Sequence, residues 1–259
     1  MISSKRVIAA MLTALMAVTF TANTAVSVYA TGVTATENAQ TIDAQSTDAQ
    51  ALTPEEQKAQ ELQQVYDMPV ESNGYKDWPQ GPGTYGEAGI VMEVGTGAIL
   101  YAKNIDAHEY PASITKVLTE LVALENGQLT DNVTFSHDSV AFLQRGDSSV
   151  GLKEGNVITL DQAMHAMLLA SANEAAYAIG ESVGVNAGHD YNWFIEQMNS
   201  RCKELGGENS NFANTNGLHD PNHYTCARDM ALIGRELFKH PEFFQIVQTL
   251  NYTIPASET

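Results

Sequence analysis

From Thr159 onward apolar residues recur mostly at helical spacing, and the strand signals ahead of them amount to one short hairpin. That imbalance limits the folds open to it. Ala88 to Val94 and Ala98 to Ala102 are short apolar runs joined by Gly95-Thr96-Gly97, the pattern of two strands around a tight turn. A loop leads to Pro111, after which Ile114, Val117, Leu118, Leu121 and Val122 share one helical face as far as Gly127. Thr159-Leu160-Asp161-Gln162 reads as a capping box in front of the apolar run Ala163 to Ala170. Further helices are predicted over 174–183, 191–205 and 225–238, around an Asn-rich loop at 209–224, and Pro241 opens a last short one. A two-stranded hairpin is marginal in water by itself. The chain is therefore expected to be the front part of an α/β fold whose sheet needs more strands than are written here.

The first 84 residues have another character. Lys5 and Arg6 precede an almost wholly apolar run from Val7 to Phe20, and Val28-Tyr29-Ala30 has the small-x-small look of a cleavage site. The apolar run is shorter than the ~20 residues that span a bilayer. Residues 1–30 are thus expected to be a signal peptide cleaved near Ala30, which makes the protein exported. Residues 31–84 are expected to be a disordered, low-complexity linker: Thr31 to Leu52 has no aromatic residue and too little apolar area to offset its conformational entropy. Within it Pro54 to Tyr66 has helical composition, and Trp78 to Gly83 is a turn-rich junction. Residues 85–259 are left as the folded part.

Charge excludes some functions. Export would remove Lys5 and Arg6 and no acid, leaving 11 basic against 31 acidic residues. Phosphate binding needs clustered cations, so nucleic acid is not an expected partner, and this segment has no basic face for an anionic membrane. Cys202 and Cys226 are too few for a disulfide framework and are expected to be free, buried thiols.

Chemistry concentrates in Pro111-Ala112-Ser113-Ile114-Thr115-Lys116. Proline suits a helix start, and Ser113 and Lys116, three apart, fall on one face. A serine hydroxyl is a poor nucleophile until a base takes its proton, and a lysine serves once burial lowers its pKa. By itself S-x-x-K is weak, because most such pairs decorate helix surfaces. Ser171-Ala172-Asn173 links two apolar helices, where helix capping is the plain explanation of Ser171. With Ser113 and Lys116 in view, it becomes a hydroxyl and an amide aimed into the same cleft.

Taken together, these segments resemble the serine D-alanyl-D-alanine carboxypeptidases, the low-molecular-weight penicillin-binding proteins. The likeness runs from about Trp78 to the C-terminus. It includes Gly97 to Asn104, Tyr110 to Lys116, Ser171 to Ala176, Met198-Asn199, Asn216 to Asp220 and Tyr224 to Asp229. The resemblance implies the three-layer penicillin-binding/β-lactamase-like fold, with a helical subdomain against an antiparallel sheet that is incomplete here. It implies Ser113 as nucleophile, Lys116 as base, Ser171 as proton relay to the leaving D-alanine and Asn173 as substrate-binding amide. It further implies stem peptides ending in D-Ala-D-Ala as substrate, β-lactams as acylating inhibitors, no cofactor, and membrane contact only through a C-terminal anchor not present in this chain.

The family's third motif, Lys-Thr-Gly on a later strand, has no counterpart after Asn173; Lys153-Glu154-Gly155 precedes the second motif. This polypeptide by itself is accordingly expected to turn over little or no substrate. Rival readings are a serine β-lactamase of the same fold and a non-catalytic wall-peptide-binding protein. A metal site at His219 and His223 is disfavoured because Pro221 interrupts any helix that would align them.

Overall fold

The computed structural model describes residues 52–255. The signal-peptide expectation for residues 1–30, and the linker expectation up to residue 51, lie outside the described residues. Among the described residues no helix is long and apolar enough to cross a membrane.

The predicted hairpin is present as β1 (Gly89–Met92) and β2 (Ile99–Lys103), antiparallel with Ile90 opposite Ala102 and a bulge between Val91 and Met92. Ile90, Ala102 and Ile105 form a small core of their own, while Val91 and Leu100 face outward.

The residues in front of this hairpin correct the linker expectation for its last part. Pro54–Tyr66 is a helix, α1, with a full capping box between Thr53 and Glu56, and a 3-10 turn follows at Glu71–Gly74. This arm lies along the outer edge of β2. Ala102 N–H donates to the buried Ser72 Oγ (3.2 Å), and Leu100 O accepts from Trp78 Nε1 (2.8 Å). The fully buried Lys103 donates through Nζ to Val65 O and Thr84 O, both at 2.6 Å. The helix matches the helical composition of Pro54 to Tyr66, although α1 has no buried residue of its own. What holds the arm is the unpaired polar backbone of an edge strand, which a neighbour must satisfy.

The main core surrounds α2 (Thr115–Asn126), whose Leu118, Leu121, Val122 and Ala123 are inaccessible to solvent. Around it stand α4 (Leu160–Ala170), α5 (Asn173–Asn186) and α6 (Tyr191–Glu204). Helix α7 (Ala227–Leu237) packs on both α2 and the hairpin. Its ends are pinned to the hairpin side, through Arg228–Asp106 at 2.6 Å and Arg235 Nε to Val94 O at 2.7 Å. A last helix, α8 (Pro241–Val247), covers α4.

Between α2 and α4 the structure adds elements that the sequence reading lacked. Strands β3 (Asn132–Thr134) and β4 (Val157–Thr159) pair antiparallel, and α3 (His137–Ala141) is a single short turn between them. Strands of three residues are too short to show a period. Thr159 caps α4 with the predicted box, closed by Gln162. Cys202 and Cys226 are free and buried, and burial pushes both thiols up to about 11.

Candidate active site

The segment around Ser113 does not form the continuous helix expected after Pro111. Ala112–Ile114 is a 3-10 turn, and α2 begins only at Thr115. Ala112 takes a φ of +47°, a left-handed conformation that costs a non-glycine residue on the order of 1 kcal/mol. Gly217 lies directly against this residue: a Cβ added there would stand 1.7 Å from Ala112 O and 3.0 Å from Ser113 N. Packing of the 213–218 loop thus supports the strained turn, and the turn leaves Ser113 exposed above a buried Lys116.

Lys116 is 2% exposed, and its Nζ has three partners. It lies 3.1 Å from Ser113 Oγ, 2.8 Å from Asn173 Oδ1 and 2.7 Å from Asn216 O. Ser171 Oγ donates to Ser113 Oγ at 3.0 Å. All four residues singled out in the sequence therefore meet in one hydrogen-bonded cluster. Ser171 reaches it through a left-handed backbone (φ +56°) that ends α4 and turns the chain into α5.

Electrostatics favour a usable base. Burial brings the Lys116 amine down from 10.5 to about 8, against the opposing pull of the Glu174 carboxylate. Two of its partners, a carbonyl and an amide oxygen, can only accept. A neutral amine has two N–H groups and one lone pair, so satisfying both acceptors turns the lone pair towards the Ser113 hydroxyl.

The backbone carbonyl of Asn216 went unassigned in the sequence, since a main-chain acceptor has no residue-type signature. It is held by a self-locked loop: Gly217 N–H donates to Asn214 Oδ1 (2.7 Å) and Leu218 N–H to Asn216 Oδ1 (2.9 Å). Thr119 Oγ1 ties α2 to the same loop through Thr215 O (2.7 Å). Asn216 also lines an open cavity of about 610 Å³ with Phe142, Tyr177, Tyr191 and Leu218.

His223 has a structural task. Ala213 N–H donates to its Nδ1 at 3.0 Å, so the proton sits on Nε2, 2.7 Å from Thr115 Oγ1. Burial holds the ring down at about 4, which keeps it neutral. His219 instead packs edge-on against Tyr110. Among the described residues no cluster of three metal-ligating side chains occurs.

The family model described as D-alanyl-D-alanine carboxypeptidase matches residues 79–258. The chain belongs to this family. Among curated members, D-alanyl-D-alanine carboxypeptidase DacA of Haemophilus influenzae is 34% identical over 170 residues, covering 63% of this chain and 42% of that protein. D-alanyl-D-alanine carboxypeptidase DacF of Bacillus subtilis is 32% identical over 168 residues, covering 63% and 41%. The chain thus spans less than half the length of these two carboxypeptidases. Among solved structures, penicillin binding protein 5 from Haemophilus influenzae matches with a TM-score of 0.60 at 29% identity, covering 68% of this chain and 52% of that one. The Streptomyces K15 DD-transpeptidase matches at 0.57 and 28%, covering 62% and 63%. The mixed α/β fold is therefore that of the penicillin-binding DD-peptidases.

Proposed function

We propose that the protein is an exported serine D-alanyl-D-alanine carboxypeptidase, acting on peptidoglycan stem peptides through an acyl-enzyme and acylated by β-lactams. Ser113 Oγ attacks the carbonyl of the penultimate D-alanine while Lys116 Nζ takes its proton. The developing oxyanion accepts from the Ser113 N–H. The C–N bond then breaks, and the leaving D-alanine amine receives a proton by way of Ser171. Asn173 holds the peptide amide and orients Lys116. Water, deprotonated by Lys116, then attacks the Ser113 ester; the acyl C–Oγ bond breaks, Ser113 Oγ takes the proton back from Lys116, and the shortened peptide leaves as its carboxylate.

The observation that supports this reading most is the setting of Lys116: a buried amine titrating at about 8, with two acceptor-only partners and a serine hydroxyl as its third. Surface S-x-x-K pairs have no such surroundings. A general base of this kind contributes on the order of 10²–10⁴ in rate.

The test is labelling of the full-length protein with a fluorescent penicillin. Covalent label on the wild type and none on Ser113→Ala is the expected result. Lys116→Ala is expected to acylate about 10³-fold more slowly. Because the neutral amine is the active form, the wild-type rate rises with pH through a midpoint near 8. Undiminished labelling of Ser113→Ala would end the proposal.

A further inference from the structure

Asn173 is held from behind as well as from the site. Its N–H donates to Ser148 O at 2.9 Å. Its neighbour Glu174, fully buried in the first turn of α5, directs a carboxylate at the same loop. Glu174 Oε1 accepts from Ser149 Oγ (2.7 Å), Val150 N–H (2.8 Å) and Gly151 N–H (3.2 Å), while Oε2 is buried with no hydrogen-bond partner. Residues 148–151 are themselves exposed, so burial of their own side chains does not fix this loop. Taking a carboxylate out of water costs several kcal/mol unless donors or charges compensate it. Here three donors converge on one oxygen, all from a loop that also accepts the N–H of Asn173.

We propose that Glu174 is a positioning residue for the Ser113–Lys116 pair: it locks the Ser148–Gly151 loop onto the start of α5, keeping Asn173 Oδ1 on Lys116 Nζ, and it sets a negative charge beside that amine. The assignment rests on the catalytic reading above. The charge matters because it opposes burial, favouring the ammonium where burial favours the free base. The other groups around Lys116 do not offset it. Glu120, one turn further along α2, stays protonated up to about 8. The 213–218 loop presents the Asn216 carbonyl, the α4–α5 link presents the Ser171 hydroxyl, and the neutral His223 faces Thr115.

Glu174→Gln keeps the side-chain shape, removes the charge and halves the acceptor capacity. The rate of Ser113 acylation by a fluorescent penicillin, followed from about pH 6 to about pH 10 in the full-length protein, separates the two effects. The plateau rate is expected to fall about tenfold or more, and the acid-side midpoint to move to lower pH, since Lys116 loses the charge that favours its protonated form. Glu174→Asp, with the charge kept and the reach shortened, is expected to lose rate at an unmoved midpoint. A plain structural tie would slow Glu174→Gln without moving its midpoint, and that result, like an unchanged rate, overturns the proposal. Failure of the underlying catalytic reading looks different: the wild type itself takes no label at Ser113. Should Glu174→Gln not fold, Ser149→Ala decides from an exposed position. A several-fold slower acylation at unchanged thermal midpoint supports the role, and an unchanged rate overturns it.

Discussion

Glu120 shows what a single buried side chain can do to the whole. It is inaccessible to solvent, neither carboxylate oxygen has a hydrogen-bond partner, and burial raises its pKa from 4.5 to about 8. In the unfolded chain it ionises near its ordinary value, whereas in the folded chain it keeps its proton until about 8. Between those limits the unfolded state releases a proton that the folded state retains, so this group's contribution to stability declines as pH rises. The expected cost is on the order of 3 kcal/mol by pH 7. Glu120→Gln cannot ionise. Urea unfolding at pH 5 and at pH 8 should show the variant gaining stability relative to wild type at the higher pH, and a constant difference would refute the assignment.

At the scale of elements, the cluster depends on two backbones meeting: the 3-10 turn before α2 and the loop that carries Asn216. Gly217 has a φ of +85°, and an added Cβ would overlap Ala112 O. Gly217→Ala must push the turn and loop apart. The expected result is a loss of about 2 kcal/mol or more in stability together with at least about tenfold slower penicillin acylation. Gly184 provides the control, because a Cβ there would stand 2.3 Å from Asp190 O, at the α5–α6 connection away from Ser113. Gly184→Ala should lower the thermal midpoint comparably yet leave the acylation rate of the folded protein near wild type. Equal losses of acylation in the two variants would mean that Gly217 has no special bearing on Ser113.

Over the whole molecule, the hairpin has no large core of its own and is covered from two sides, by α7 on one face and by the 52–84 arm along its edge. Lys103 is the point where the arm is fastened, since Val65 O closes α1 and Thr84 O ends the arm. A cationic group at a helix C-terminus also meets the negative end of the helix dipole. Lys103→Met fills similar volume without the two hydrogen bonds. Limited proteolysis should then cut between α1 and Tyr85 several-fold faster, with α2–α7 still folded and Ser113 still reactive towards penicillin; cleavage at the wild-type rate would show the arm to be held by other contacts.

How much was legible beforehand follows from the range of each signal. The hairpin turn, the capping box at Thr159 and the long helices were readable because capping and periodicity are local. Ser113, Lys116, Ser171 and Asn173 stood out through the ordered motifs that carry the family resemblance, since S-x-x-K alone is a weak signal. Local rules could not decide the 3-10 turn at Ala112–Ile114, the carbonyl of Asn216, the Glu174 clamp or the arm on β2. Each joins segments far apart in the chain through main-chain groups or through charges whose burial is a property of the packed whole. The sequence by itself determined which polar side chains recur in the family-like motifs and which segments would be helical. The tertiary structure alone decided how deep Lys116 lies and which oxygens it meets, because desolvation and hydrogen-bond partners exist only once distant segments are brought together.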